Sequence, residues 1–93
     1  MSNYKIIVTK INEVLTLTNA VLTEEQVDSV KVLNEGGEWN LSFETLCDVL
    51  YEYELPISQQ TYELLEEIGS TIKVEKDYWE VLKPQIQPNS ERN

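Results

Sequence analysis

Residues Leu55-Pro56-Ile57-Ser58 fall between two runs of helix-spaced apolar residues and require a break between them. The proline ring clashes with an α-helical residue in front of it, so the upstream helix has to end near Glu54. Ser58 can then cap the next helix by accepting a bond from its first free amides. Ile57 and Tyr62 stand at the two positions of a hydrophobic staple, which fixes the angle at which the chain enters that helix. Downstream, Tyr62, Leu65, Ile68 and Ile72 recur at helical spacing, with Gly69 and Ser70 weakening the helix near its end. Upstream, Phe43, Leu46, Cys47, Leu50 and Tyr53 trace one face of a helix that Ser42 could cap.

Similar punctuation orders the rest of the chain. Thr23-Glu24-Glu25-Gln26 has the form of a capping box, opening a helix that turns Val27, Val30 and Leu33 inward and stops at Gly36 and Gly37. From about Tyr4 to Thr18, the residues Tyr4, Ile7, Val8, Ile11, Val14, Leu15 and Thr18 fall on one helical face, although the β-branched run at residues 4–9 leaves a strand open there. A short helix from about Glu75 to Leu82 presents Tyr78, Trp79 and Leu82, limited by Pro84, and residues from about 85 to 93 read as a loose tail. The 93 residues allow one domain, and a chain of this size buries roughly 60 to 65% of its unfolded surface. The expected fold is all-α: a small bundle of four to five short helices spanning residues 1–93.

Several chemistries are closed to this chain. It has no histidine, so Ser-His-Asp and Cys-His catalysis and histidine-bound zinc are ruled out. Cys47 is the lone cysteine, which prevents an internal disulfide and fits a reducing compartment. Its apolar helical neighbours mark it as a small buried hydrophobe rather than a reactive thiol. There is no Gly-rich phosphate loop and no calcium-loop pattern. The expectation is no catalytic residue, no metal and no cofactor. No apolar run is long enough to span a membrane, and the N-terminus lacks the pattern of a signal peptide, so the expected location is cytoplasmic. The glycosylation sequon at Asn40 carries no weight without a secretory signal.

Charge provides the functional signal. The formal net charge is −10, which repels nucleic acid and anionic membranes and favours a basic partner. No lysine or arginine lies between Lys31 and Lys73, while Glu35, Glu38, Glu44, Asp48, Glu52, Glu54, Glu63, Glu66 and Glu67 all do. Turning the third helix by ~100° per residue places Glu44, Asp48 and Glu52 one turn apart, away from Leu46 and Leu50, with Tyr51 at the edge. On the fourth helix, Glu63, Glu66 and Glu67 lie opposite Leu65 and Ile68, with Tyr62 at the edge. Acidic outer faces are common on soluble proteins, and tyrosines at helical spacing often belong to the core. Against that plain reading stands the long stretch without a compensating base, because one-sign fields suit the steering of an oppositely charged partner. Glu44, Asp48, Tyr51, Glu52, Tyr62, Glu63 and Glu66 are therefore the candidate partner-binding residues, combining charge for steering with aromatic area for retention.

The stretch from Leu41 to Gly69 containing "YEYELPIS", followed by "YW" at Tyr78 and Trp79 and "LKP" at Leu82 to Pro84, resembles the MafI family of bacterial immunity proteins. More broadly it is similar to the immunity proteins of contact-dependent growth-inhibition systems. The resemblance covers about half of the chain and implies an antitoxin. Such a protein would bind the C-terminal domain of a cognate toxin in the cytoplasm; the core leaves few apolar residues to spare, so the expected state is a free monomer and a 1:1 complex. A nuclease, with an RNase placed ahead of a DNase, would present a cationic cleft that carboxylates could occlude, and binding at an exosite that blocks the active site indirectly stays open beside it. Two other classes stand beside this one. A nucleic-acid mimic or regulatory adaptor would bind several basic proteins, with affinity falling steeply in salt. An enzyme built on paired carboxylates is the third, and no ligand-like spacing supports it.

Overall fold

The computed structural model describes residues 3–88. They form a small all-α bundle of five helices: α1 (Asn3–Leu17), α2 (Glu24–Glu35), α3 (Trp39–Glu52), α4 (Gln59–Ile72) and α5 (Asp77–Glu80), followed by a 3₁₀ turn at Lys83–Gln85. α2 and α3 pack together as a helical hairpin, α1 lies against α4 and α2, and α5 sits across α3 and α4. Residues 4–9 are helical, which closes the strand alternative. Burial along one face decides this, because Ile7, Ile11, Val14, Leu15 and Thr18 enter the core at spacings of three and four. Tyr4 departs from that expectation: it is 52% exposed and stacks on Trp39, with ring centroids 5.1 Å apart.

The helix starts read from sequence divide into two kinds. Thr23 forms the full capping box with Gln26, and the Ser58 hydroxyl accepts from the Thr61 amide at 3.0 Å. Ile57 and Tyr62 both join the core cluster, as a staple requires. Ser42 is different. α3 begins three residues earlier, at Trp39, and Ser42 is fully buried, its hydroxyl donating to the Val30 carbonyl of α2 at 3.0 Å. The serine that looked like a cap instead fastens the hairpin. Asn34 plays a similar part between α1 and α2, donating from Nδ2 to the Val8 carbonyl at 3.2 Å and to Asn12 Oδ1 at 3.3 Å.

α3 and α4 end alike. Glu54 and Lys73 adopt left-handed backbone, with φ of 51° and 63°. The following apolar residue bonds back across the last turn, Leu55 N–H to Leu50 O and Val74 N–H to Gly69 O, both at 3.0 Å. This is the Schellman arrangement built without glycine, at a backbone cost of about 1–2 kcal/mol for each left-handed residue. Because α3 closes there, Tyr53 points outward and is 60% exposed, contrary to its expected place on the inner face.

The expected loose tail is docked at its beginning. Gln85 donates from Nε2 to the carbonyls of Leu50 and Leu55, at 2.8 and 2.9 Å, supplying donors to the end of α3. Ile57 and Ile86 form a parallel bridge through Ile57 N–H to Gln85 O and Gln87 N–H to Ile57 O. The tail expectation for 89–93 lies outside the described residues.

The core is continuous from α1 to α5, and Phe43, Leu46, Leu50, Leu65, Ile68 and Leu82 are each fully buried. Each such side chain contributes about 1.5–3 kcal/mol relative to exposure. Gly69 has a particular role within it. A Cβ at this position would overlap the ring of Trp79, at Cζ3 and Cε3, so the glycine gives α5 its seat on α4. Gly69→Ala is therefore expected to lower stability by about 1–3 kcal/mol through overpacking. In an unobstructed helix interior the same change would add about 0.5–1 kcal/mol. Urea unfolding, with exposed Ser70→Ala as control, measures the difference; an unchanged midpoint for Gly69→Ala would mean that Trp79 does not bear on it.

Candidate functional site

α3 carries its acids on the outer side as its periodicity implied. Asp48 and Glu52 are exposed and Glu44 is half-buried, while Tyr51 is 54% exposed. α5 lies alongside. Its Asp77 and Tyr78, with Val81 just beyond, join Cys47, Asp48 and Tyr51 around a shallow hollow. Next to it runs a groove of about 860 Å³ between the C-terminal half of α3 and the Val81–Gln87 segment. Asp48, Tyr51 and Val81 border both.

The same geometry divides the sequence-predicted residues. Asp48, Tyr51 and Glu52 come together at the groove, where Glu54 joins them. Glu44 lies beside Tyr78: its charge is the main cause holding that phenol above its usual range, with burial and the charges of Asp48 and Glu75 adding. Glu63 and Glu66 are exposed on α4 but border neither hollow, and Glu63 accepts a hydrogen bond from Gln59 Nε2 at 3.0 Å. Tyr62 requires a correction, since it is 5% exposed and belongs to the core. A helix drawn alone shows Tyr62 at the edge of the apolar stripe; α5 then covers that edge. Burial raises the Tyr62 phenol above its usual range, and the nearby carboxylates of Glu66 and Glu80 raise it further.

Two further features were beyond sequence reasoning. Asp77, Tyr78 and Val81 belong to the site only because Trp79 carries α5 against α3, and nothing in their own spacing signals this. Lys10, far away in the chain, forms an ion pair with Glu67 at 3.2 Å. The acids of α4 are thus partly compensated in space, whereas none of the acids on α3 has an ion-pair partner among the described residues.

Chemically, the face offers carboxylates, phenols and apolar area. Burial drives the Cys47 thiol well above its ordinary range, and Asp48 and Glu44 push in the same direction, so the sulfur stays protonated and inert. No group of three or more His, Cys, Asp or Glu among the described residues could hold a metal ion. No described helix is long and apolar enough to cross a membrane. Comparison with family models, with curated proteins and with solved structures finds no match.

Two outcomes follow from these environments. Cys47 should react with Ellman's reagent at neutral pH only at the rate of protein opening, and rapidly in denaturant; fast labelling of the folded protein would contradict its burial. Tyr62 contributes stability that is intact below the unfolded phenol pKa of about 10 and is lost as pH rises toward its higher folded value. Wild type should therefore lose stability more steeply than Tyr62→Phe above that pH, as measured by urea midpoints, and equal slopes would refute the assignment.

Proposed function

We propose that the protein is an immunity factor, an antitoxin that binds one cognate bacterial toxin domain in the cytoplasm and blocks it without chemistry of its own. The partner is a basic nuclease, an RNase ahead of a DNase, bound 1:1. The observation that carries the reading is the α3 face, where Asp48 and Glu52 stand exposed beside a half-exposed Tyr51 with no ion-pair partner among the described residues. Uncompensated carboxylates raise the association rate with a cationic surface, and a desolvated aromatic slows dissociation. A nuclease has to present such a surface to bind polyphosphate. The resemblance of Leu41 to Pro84 to the MafI family supports the same reading.

Asp48, Tyr51 and Glu52 are the principal contacts, with Glu44 beside them; Glu63 and Glu66 act at longer range through the field. Tyr62 supports the fold behind them.

Co-expression with the toxin domain encoded immediately upstream tests the proposal by cell survival and stoichiometric capture. The Asp48→Lys/Glu52→Lys variant should fold as wild type by circular dichroism and lose protection entirely. Undiminished protection by that variant would remove these residues from the interface. Absence of both survival and capture with the wild type would favour a mimic or adaptor binding several basic proteins.

A further inference from the structure

Among the exposed large apolar residues, Ile6, Val32 and Leu41 lie on three different helices, and exposure of this scattered kind is ordinary on a soluble surface. Tyr51 and Val81 are different. They are 54% and 42% exposed, they border the same groove, and Pro56 and Pro84 extend its apolar lining. Asp48, Glu52 and Glu54 supply its charge, and among the described residues no lysine or arginine borders it. Lys83, although adjacent to Pro84 in sequence, does not contribute to the lining.

The groove is also held in shape. Gln85 is tied to the Leu50 and Leu55 carbonyls, and Ile86 is bridged to Ile57, so one wall is bonded to the end of the other. Glu54 is set by its left-handed backbone, with φ of 51°. A pre-formed concavity spares a ligand the cost of ordering it. The groove is open along its length, with a volume of about 860 Å³.

We propose that this groove docks one short basic segment of a protein partner, in which an apolar side chain flanked by lysines or arginines seats between Tyr51 and Val81. The flanking cations meet Asp48, Glu52 and Glu54. Charge complementarity selects this occupant, since an apolar segment alone would desolvate three carboxylates without replacing their hydration. The protein class of the occupant rests on the immunity reading; the chemistry of the groove does not.

A second copy of the chain offers a weaker fit. Ile6 is exposed near Lys5 and Lys10 on α1, but Lys10 is engaged by Glu67, and each copy carries a net charge of −10.

The test uses the intact protein, ¹⁵N-labelled, titrated with a synthetic lysine peptide carrying a central Leu-Phe and with the same peptide carrying Ser-Ser there, equal in charge. The Leu-Phe peptide should bind about tenfold more tightly, the equivalent of roughly 1.4 kcal/mol, and move the amide signals of Asp48, Tyr51, Val81 and Gln85. Val81→Ser should erase most of that advantage while leaving the Ser-Ser peptide unaffected. Equal affinity of the two peptides, or shifts centred on Glu63 and Glu66, would overturn the proposal. Groove signals that move on dilution without peptide would assign the surface to a second copy and overturn it as well. Peptide seating in the groove combined with failure of the co-expression assay would refute the immunity reading alone; protection with no peptide seating would refute the groove alone.

Discussion

The contact of the Trp79 ring with the bare backbone of Gly69 orders the C-terminal third of the molecule. α5 is four residues long, too short to be stable by its own hydrogen bonds. It persists because Trp79 is 4% exposed, rests on α4 at Gly69 and meets Phe43 of α3 edge-on, with centroids 6.2 Å apart. The indole N–H has no hydrogen-bond partner among the described residues. Such a group costs about 1–3 kcal/mol, which the buried ring area has to offset. With Trp79 seated, Tyr78 is carried toward Glu44 and Asp48, and Val81 is brought to the groove.

The all-α class and the breaks between helices were legible because the signals are local. A capping box, a Pro-Ile-Ser break and a pair of glycines each act within a few residues, and each operates in the fold at the position where it is written. Ser42 shows the limit of that legibility. A serine before an apolar run satisfies the pattern of a cap, yet the same hydroxyl can donate to a neighbouring helix, and only the packing of α2 on α3 decides between them. By helix propensity Gly69 is a weak point in α4, and the fold makes it the place where the Trp79 ring comes close.

The candidate site was legible in half-measure for a related reason. Helical rotation correctly separates Asp48 and Glu52 from Leu46 and Leu50, because that division depends on one helix. It misplaces Tyr62, Tyr53 and Tyr4, whose exposure depends on what lies alongside: α5 covers the first, the early end of α3 frees the second, and Trp39 takes the third as a stacking partner. The stretch without a base between Lys31 and Lys73 is likewise a property of the sequence. In space Lys10 reaches Glu67, and the uncompensated charge narrows to α3 and its neighbours.

Gln85 has an implication for how the molecule comes into being. Its amide supplies donors to the end of α3, and its segment forms one wall of the groove, so a chain elongating from the N-terminus completes both only after every other part of the bundle exists. α1 to α4 can collect first, with the Leu50 carbonyl held by the Leu55 amide and the Leu55 carbonyl waiting for its donor until Gln85 docks. Chains cut short of Gln85 would keep most of the core and lack one wall of the groove. The groove is thus complete only in molecules that extend at least through Gln87.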